Sequence, residues 1–186
     1  MKFLRTFLLG LLVAIAAPLI GTAPQFAGSG LVQEAQATTT GLSDSNENSF
    51  IDFYFRGQSW TAPATHYIGL TTETCSDSAS GTEPSSGAYA RVAVTSSLAN
   101  WAGTQSAGST SASSGTGGTT SNNSAVTFPT STGAWASGST LQAVRFYSAA
   151  SAGTMNFCID LTSGIAVTAT GFTLSFSAGS LQATIN

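Results

Sequence analysis

The chain has 186 residues, with 5 Lys and Arg against 8 Asp and Glu, which gives a formal net charge of −3. After residue 37 the only basic side chains are Arg56, Arg91 and Arg145. A weakly acidic chain with so few cations offers no electrostatic basis for binding the phosphates of nucleic acid or of an anionic membrane. We therefore predict no nucleic-acid partner, and a single domain of ordinary size over residues 38–186.

The first 37 residues have the pattern of a secretory signal peptide. Lys2 and Arg5 precede an apolar run over residues 7–20, and the segment ends with Ala35-Gln36-Ala37. Small residues at the −3 and −1 positions are what the signal peptidase requires. We expect residues 1–37 to be a signal peptide cleaved after Ala37, so that the mature chain is secreted, periplasmic or at the cell surface or virion, without membrane contact. The alternative is an uncleaved anchor helix, but the apolar run is shorter than the ~20 residues that span a bilayer.

A short helix is predicted over about residues 44–56. Asp44 and Glu47 have the spacing of a capping box, with Asp at the N-cap, and Gly57 can end the helix. The apolar side chains are too many for one face of so short a helix. We expect the helix to seal the β-sandwich with one side and to contact another subunit with the other. The candidate interface residues are Phe50, Phe53, Tyr54 and Phe55.

The rest of the chain has the pattern of β-strands. Residues 66–72, 89–95, 155–161 and 172–176 alternate between apolar and polar side chains, and turns rich in Gly, Ser, Thr and Pro separate them. This pattern predicts an all-β fold, an antiparallel β-sandwich of jelly-roll or immunoglobulin-like type with the short N-terminal helix packed on it. The Gly/Ser/Thr-rich segment 102–123 is predicted to be a flexible surface loop.

The two cysteines, Cys75 and Cys158, predict one disulfide. In an exported chain an even cysteine count favours oxidation, and two cysteines allow one intramolecular pairing. Two free buried thiols and an intermolecular bridge are the alternatives.

Three segments in this order carry a resemblance to a known family. They are residues 48–57 leading into 61–70, residues 87–94, and residues 123–129 followed by Trp135 and 177–181. Together they resemble the small tail-associated proteins, labelled tail fibre or minor tail proteins, of tailed bacteriophages and prophages. The resemblance implies a virion structural component with a β-sandwich fold and without known chemistry. The leader and the two cysteines are additions to this pattern, and they favour an exported relative used at the cell surface.

No convincing active site is visible in the sequence. His66 is the only imidazole, so any Ser-His-Asp triad would need it, but it lies inside a strand pattern. Glu73, Asp77 and Glu83 crowd one loop, where solvated turn acids explain them better than paired catalytic carboxylates or a Ca²⁺ site. We expect no enzyme activity, no cofactor and no metal. Arg91 and Arg145 are expected to pair with an acid such as Asp52 or Asp160.

The function predicted from the sequence is a non-enzymatic, phage-tail-like structural or surface-binding subunit that is exported. Its expected partners are further copies of itself or other appendage or virion subunits, with a cell-surface glycan as a further candidate. The alternative is a secreted carbohydrate-binding or adhesin module in which Trp60, Trp101 and Trp135 stack on sugars. A weaker alternative is a small secreted hydrolase that uses His66 or the acidic loop.

Overall fold

The computed structural model describes residues 32–35, 37–115 and 117–185. Most of the predicted signal peptide lies outside the described residues. Its last part does not, because strand β1 (Val32–Glu34) pairs in parallel with strand β9 (Thr173–Phe176), and Ala35 is buried in the main core. Cleavage after Ala37 would remove this strand and leave one edge of β9 unpaired.

The described residues form ten strands, one α-helix and one short 3₁₀ turn. The remaining strands are β2 (Ala37–Leu42), β3 (Thr65–Thr71), β4 (Val92–Thr95), β5 (Thr119–Ser121), β6 (Val126–Thr127), β7 (Thr140–Tyr147), β8 (Met155–Ala166) and β10 (Gln182–Thr184). The helix α1 spans Asp44–Arg56, and the 3₁₀ turn spans Trp135–Gly138. This confirms the predicted all-β fold with one short N-terminal helix, whereas the jelly-roll or immunoglobulin-like type stays a prediction.

An antiparallel five-stranded sheet in the order β2-β8-β7-β3-β4 is the largest element. One face of this sheet packs on a three-stranded sheet (β1-β9-β6) and on a two-stranded sheet (β10-β5), and the main hydrophobic core lies between them. That core contains Ile68, Leu70, Val144 and Ile159 from the large sheet. The smaller sheets and the segments beside them contribute Val126, Phe128, Leu174, Phe176 and Leu181.

The alternation read along β7 is interrupted by a register shift between Leu141 and Ala143. Strict alternation over residues 141–147 would place Leu141 on the same face as Ala143 and Arg145. The pairing passes from Leu141–Ile165 to Ala143–Asp160, so the bulge places three extra residues in β8, and Leu141 joins Val144 in the main core. Alternation resumes after the bulge and turns Ala143 and Arg145 to the opposite face.

The opposite face of the large sheet is covered by the loop over residues 72–83. Cys75 and Cys158 form the predicted disulfide, with Cα atoms 5.6 Å apart, and so join this loop to β8. Ala143, Tyr147 and Met155 pack around the disulfide in a second small core. The backbone N–H of Cys75 also donates to Asp160 Oδ1 at 2.6 Å. A covalent bond and polar contacts therefore hold a loop that has little apolar material of its own.

Helix α1 has the predicted bounds, with a different N-cap. Ser43, not Asp44, caps the helix, because the Ser43 hydroxyl accepts from the backbone N–H of Asn46. Gly57 ends the helix in the left-handed conformation, with φ of 68°, as expected for a C-cap glycine. No residue of α1 is buried, so the expectation that the helix seals the sandwich is wrong. The strands of the three sheets already close the main core without it.

The predicted loop over 102–123 is wrong at its C-terminal end. Residues 119–121 form β5, which pairs with β10, and Asn122 is buried. The Asn122 amide donates to the carbonyls of Ser124 and Ser177 and accepts from the N–H of Leu181. Composition did not indicate this strand, because its residues are Thr and Ser, which are also common in loops. The strand is stabilised by pairing with β10 near the C-terminus.

Candidate interaction surfaces

The first candidate surface is the α1 patch, which we define as Phe50, Ile51, Phe53, Tyr54 and Phe55. All five side chains are exposed, Tyr54 at 68% and Phe55 at 74%. Within the patch Phe50 stacks on Tyr54 at 5.8 Å between ring centroids, and Tyr54 meets Phe55 edge-on at 4.9 Å. These contacts hide only part of each ring. The patch is therefore an apolar surface that the described part of this chain leaves uncovered.

The α1 patch spans more than half of the helix circumference. At about 100° per residue, its five positions cover an arc of roughly 200°. Asp52 and Arg56 occupy the remaining arc, where they form an exposed ion pair at 2.6 Å. The first turn carries Asp44 and Glu47, so one end of the helix is acidic and the other is basic. This distribution of charge matches the helix dipole.

Trp60 connects the α1 patch to a cleft. Its ring lies 6.4 Å from Phe50 and 6.3 Å from Phe53. The indole also lines two neighbouring cavities, one of about 300 Å³ and one of about 490 Å³. The two cavities share Trp60, Asn46, Pro63 and Asn156, and we refer to them together as the Trp60 cleft.

The two halves of the Trp60 cleft differ in chemistry. The smaller cavity is lined mainly by apolar side chains, among them Trp101, Phe146, Phe157 and Ile185. The larger cavity carries hydroxyl and amide groups from Thr61, Thr65, Tyr67, Ser148 and Asn156. Trp60 therefore lies between the two cavities. We call the smaller one the apolar chamber and the larger one the polar chamber.

Three polar side-chain atoms at the smaller cavity have no hydrogen-bond partner among the described residues. They are His66 Nδ1, Trp101 Nε1 and Asn156 Nδ2. Buried polar groups are normally satisfied, so three such atoms in one place need an explanation. Burial lowers the pKa of His66 below its ordinary value of 6.5, which keeps this imidazole uncharged at pH 7.

The three tryptophans predicted as sugar-stacking residues do not share one surface. Trp60 and Trp101 line the cleft, but Trp135 is fully buried, so its predicted role in stacking is wrong. The Trp135 indole donates to the carbonyl of Gly87 at 2.8 Å and packs edge-on against Tyr89. Trp135 is therefore a core residue, and its indole hydrogen bond stabilises the turn at Gly87.

The prediction that each arginine pairs with an acid is confirmed for Arg91 and wrong for Arg145. Arg91 forms an ion pair with Glu83, and its guanidinium lies 3.4 Å from the centre of the Tyr147 ring. Burial alone would lower the pKa of Arg91, but the hydrogen bonds and charge of Glu83 raise it overall. Arg145 is fully buried and donates to Thr71 Oγ1 and to the carbonyls of Thr74, Ser76 and Ala79. Neither arginine pairs with Asp52 or Asp160, because the nearby loop over residues 72–83 supplies the acceptors.

Glu73 and Glu83, the acids at the two ends of the loop over residues 72–83, form hydrogen bonds with groups beside them. Glu73 accepts from the backbone N–H of Thr82 at 2.6 Å, and this bond lowers the pKa of the Glu73 carboxyl. The Glu83 carboxylate accepts hydrogen bonds from the guanidinium of Arg91 and from the hydroxyl of Tyr89. Within the described residues no group of three or more His, Cys, Asp and Glu side chains could hold a metal ion. In the same part of the chain, no helix is long and apolar enough to cross a membrane.

An exposed apolar patch such as the α1 patch is typical of surfaces that bind another molecule. The family model described as "Podophage GP4 fiber I protein gp80" matches residues 41–184. The match spans most of the chain, and the chain belongs to this family of phage fibre proteins. The predicted resemblance to phage tail proteins is thereby confirmed. No curated protein matches the chain.

Sequence reasoning missed the Trp60 cleft and the environment of Arg145. The cleft is lined by side chains as far apart as Leu42 and Ile185, a separation that no local motif reveals. One signal was available in the sequence: an arginine inside an apolar strand needs buried acceptors. That signal does not identify which segment supplies them.

Proposed function

We propose that this chain is a non-enzymatic structural subunit of a phage fibre that self-associates through the α1 patch. The observation that carries the proposal is that α1 buries none of its residues although it presents five large apolar side chains. A helix in a soluble protein ordinarily covers its apolar stripe. The family match supports association with other virion subunits, and the chemistry of α1 favours a second copy of this chain.

The size of the α1 patch suits a protein interface. At about 200 Å² for each large side chain, the exposed fractions correspond to an apolar area on the order of 550 Å². A standard interface buries roughly 800 Å² on each partner. The patch together with the exposed helix backbone approaches that area.

The dipole of α1 favours a second copy in an antiparallel arrangement. The 13 residues of the helix span roughly 20 Å. When two such helices pair across a two-fold axis, the positive N-terminal end of each helix dipole lies beside the negative C-terminal end of the other. Such a pairing is self-complementary, as a two-fold interface requires.

Replacing Tyr54 and Phe55 with Ser tests this proposal. We expect the double variant to remain folded, because both side chains are exposed, and to self-associate at least about tenfold more weakly. Sedimentation velocity over a wide concentration range measures the effect, and circular dichroism checks the fold. Leu98→Ser is the matched control, since Leu98 is a 55% exposed apolar residue outside α1.

A strictly monomeric native chain at high concentration would contradict self-association through α1. Equal weakening by Leu98→Ser would show that general surface hydrophobicity, rather than the α1 patch, drives the association.

We propose that the protein is exported through residues 1–37. The intact mass of secreted protein is expected to correspond to a chain that begins at Thr38. Secreted material that retains Met1–Ala37 would contradict the cleavage. In that case β1 and Ala35 would stay in the fold, where they cover the edge of β9.

A surface-binding role is the second candidate function. It is favoured by one observation: Trp60 and Trp101 line the same cleft beside α1. A fibre subunit with such a cleft could hold a cell-surface glycan while α1 holds the assembly together.

A further inference from the structure

We propose that the Trp60 cleft binds a neutral oligosaccharide, with one sugar ring against the indole of Trp60 and its hydroxyl groups directed into the polar chamber. This inference rests on the surface-binding role proposed above and does not depend on self-association. It specifies the site, the class of ligand and the role of each half of the cleft.

The absence of charge in the cleft selects a neutral ligand. The residues lining its two cavities, all within the described part of the chain, include no Asp, Glu, Lys or Arg. The one titratable imidazole among them, His66, is held in its neutral form by burial. A phosphorylated or acidic sugar would therefore lose its hydration without gaining an ionic partner.

The two-chambered form of the cleft selects an amphipathic ligand. A pyranose ring has an apolar face of C–H groups and a rim of hydroxyl groups. The apolar chamber offers Trp60, Trp101 and Phe157 to the ring face, and the polar chamber offers Thr65, Tyr67 and Ser148 to the hydroxyls. A lipid chain or an apolar helix would fit the first chamber but would leave the polar groups of the second without partners.

Asn156 connects the two chambers. It lines both cavities, it is only 8% exposed, and its Nδ2 donates no hydrogen bond in the described structure. A small rotation of this amide in the presence of a ligand would bring the donor to a sugar oxygen. The unsatisfied Asn156 amide is therefore consistent with a site completed by an oxygen-rich ligand.

The size of the cleft sets the length of the ligand. Small-molecule sites generally enclose about 300–1,000 Å³. The two chambers, of about 300 Å³ and about 490 Å³, fall within this range separately and together. This volume suits a short oligosaccharide segment better than a single sugar, which would fill only one chamber.

The test uses the full secreted protein on an array of neutral and anionic oligosaccharides, followed by calorimetric titration of trisaccharides. The neutral probes are maltotriose, cellotriose and chitotriose, and the anionic comparator is trigalacturonic acid. We expect a neutral probe to bind, and Trp60→Ala to weaken that binding at least about tenfold. Trp60→Phe, which keeps an aromatic face, should retain most of the affinity.

Phe55→Ser is the control, because Phe55 belongs to the α1 patch and lines neither cavity. It should leave sugar affinity unchanged while weakening self-association, so that failure of one proposal is distinguished from failure of the other. The proposal is overturned if no neutral oligosaccharide on the array binds. Tighter binding of the anionic trisaccharide, or binding that Trp60→Ala does not change, would also overturn it.

Discussion

Arg145→Met is expected to lower the free energy of unfolding by about 3 kcal/mol, and the melting temperature by roughly 6–12 °C. The reason is the number of groups that depend on this one side chain. Arg145 is fully buried in β7, and its guanidinium is the hydrogen-bond donor for a loop that covers one face of the large sheet. Thermal unfolding followed by circular dichroism measures the effect.

The contacts of Arg145 explain why methionine cannot replace it. Its Nη1 donates to the carbonyl of Ala79 at 2.5 Å, and its Nη2 donates to the carbonyl of Thr74 at 2.9 Å. Its Nε donates to Thr71 Oγ1 at 2.9 Å. Methionine fills similar volume but leaves these acceptors unsatisfied, and a buried polar group without a partner costs about 1–3 kcal/mol. Burial lowers the pKa of Arg145, because removing the guanidinium from water disfavours its charged form.

Arg56→Met is the matched control for the Arg145 prediction. Arg56 lies on α1, is exposed, and pairs with Asp52 four residues earlier on the same helix. Exposed pairs of this kind contribute little, so the melting temperature should stay nearly unchanged. If both arginine variants melt at the native temperature, the loop over residues 72–83 is not held through Arg145.

Cys158→Ser is expected to lower the free energy of unfolding by about 4 kcal/mol under non-reducing conditions, and the melting temperature by roughly 10 °C. The disulfide joins residues 83 positions apart, so it removes much of the conformational freedom of the unfolded chain. Serine is close to cysteine in size, so little of the loss should come from packing in the second small core.

Reduction provides the control for the disulfide prediction. In the presence of a thiol reductant, native protein and Cys158→Ser should melt at similar temperatures, and Cys75→Ser should behave like Cys158→Ser. A native protein whose melting temperature does not respond to reductant would contradict the stabilising role of the bond. The hydrogen bond from Cys75 N–H to Asp160 Oδ1 should keep the loop near β8 even in the reduced state.

Features that depend on neighbouring residues were predictable from the sequence. The bounds of α1 follow from capping residues and Gly57, and β3, β4, β8 and β9 overlap the segments in which alternation predicted strands. The N-cap was assigned one residue too late, because Ser43 and Asp44 are both good capping residues and only the backbone conformation decides between them.

Features that depend on distant segments were not predictable. Trp60 and Trp135 are the same residue type in similar composition, yet one is exposed and the other is in the core. The acceptors of Arg145 are carbonyl groups, which every residue has, so the sequence pointed instead to a carboxylate. The exposure of α1 depends on whether the core still has space, which only the assembled sheets determine.

The most direct test of the central claim is photo-crosslinking from the α1 patch. A chain with p-benzoylphenylalanine at position 55 keeps an aromatic group there, and irradiation joins that group to whatever contacts it. We predict a covalent dimer whose crosslinked peptide, identified by mass spectrometry, comes from α1 of a second copy. The same photoreactive residue at position 98 should give no dimer. A dimer that forms equally from both positions, or products from position 55 that are only intrachain, would contradict assembly through α1.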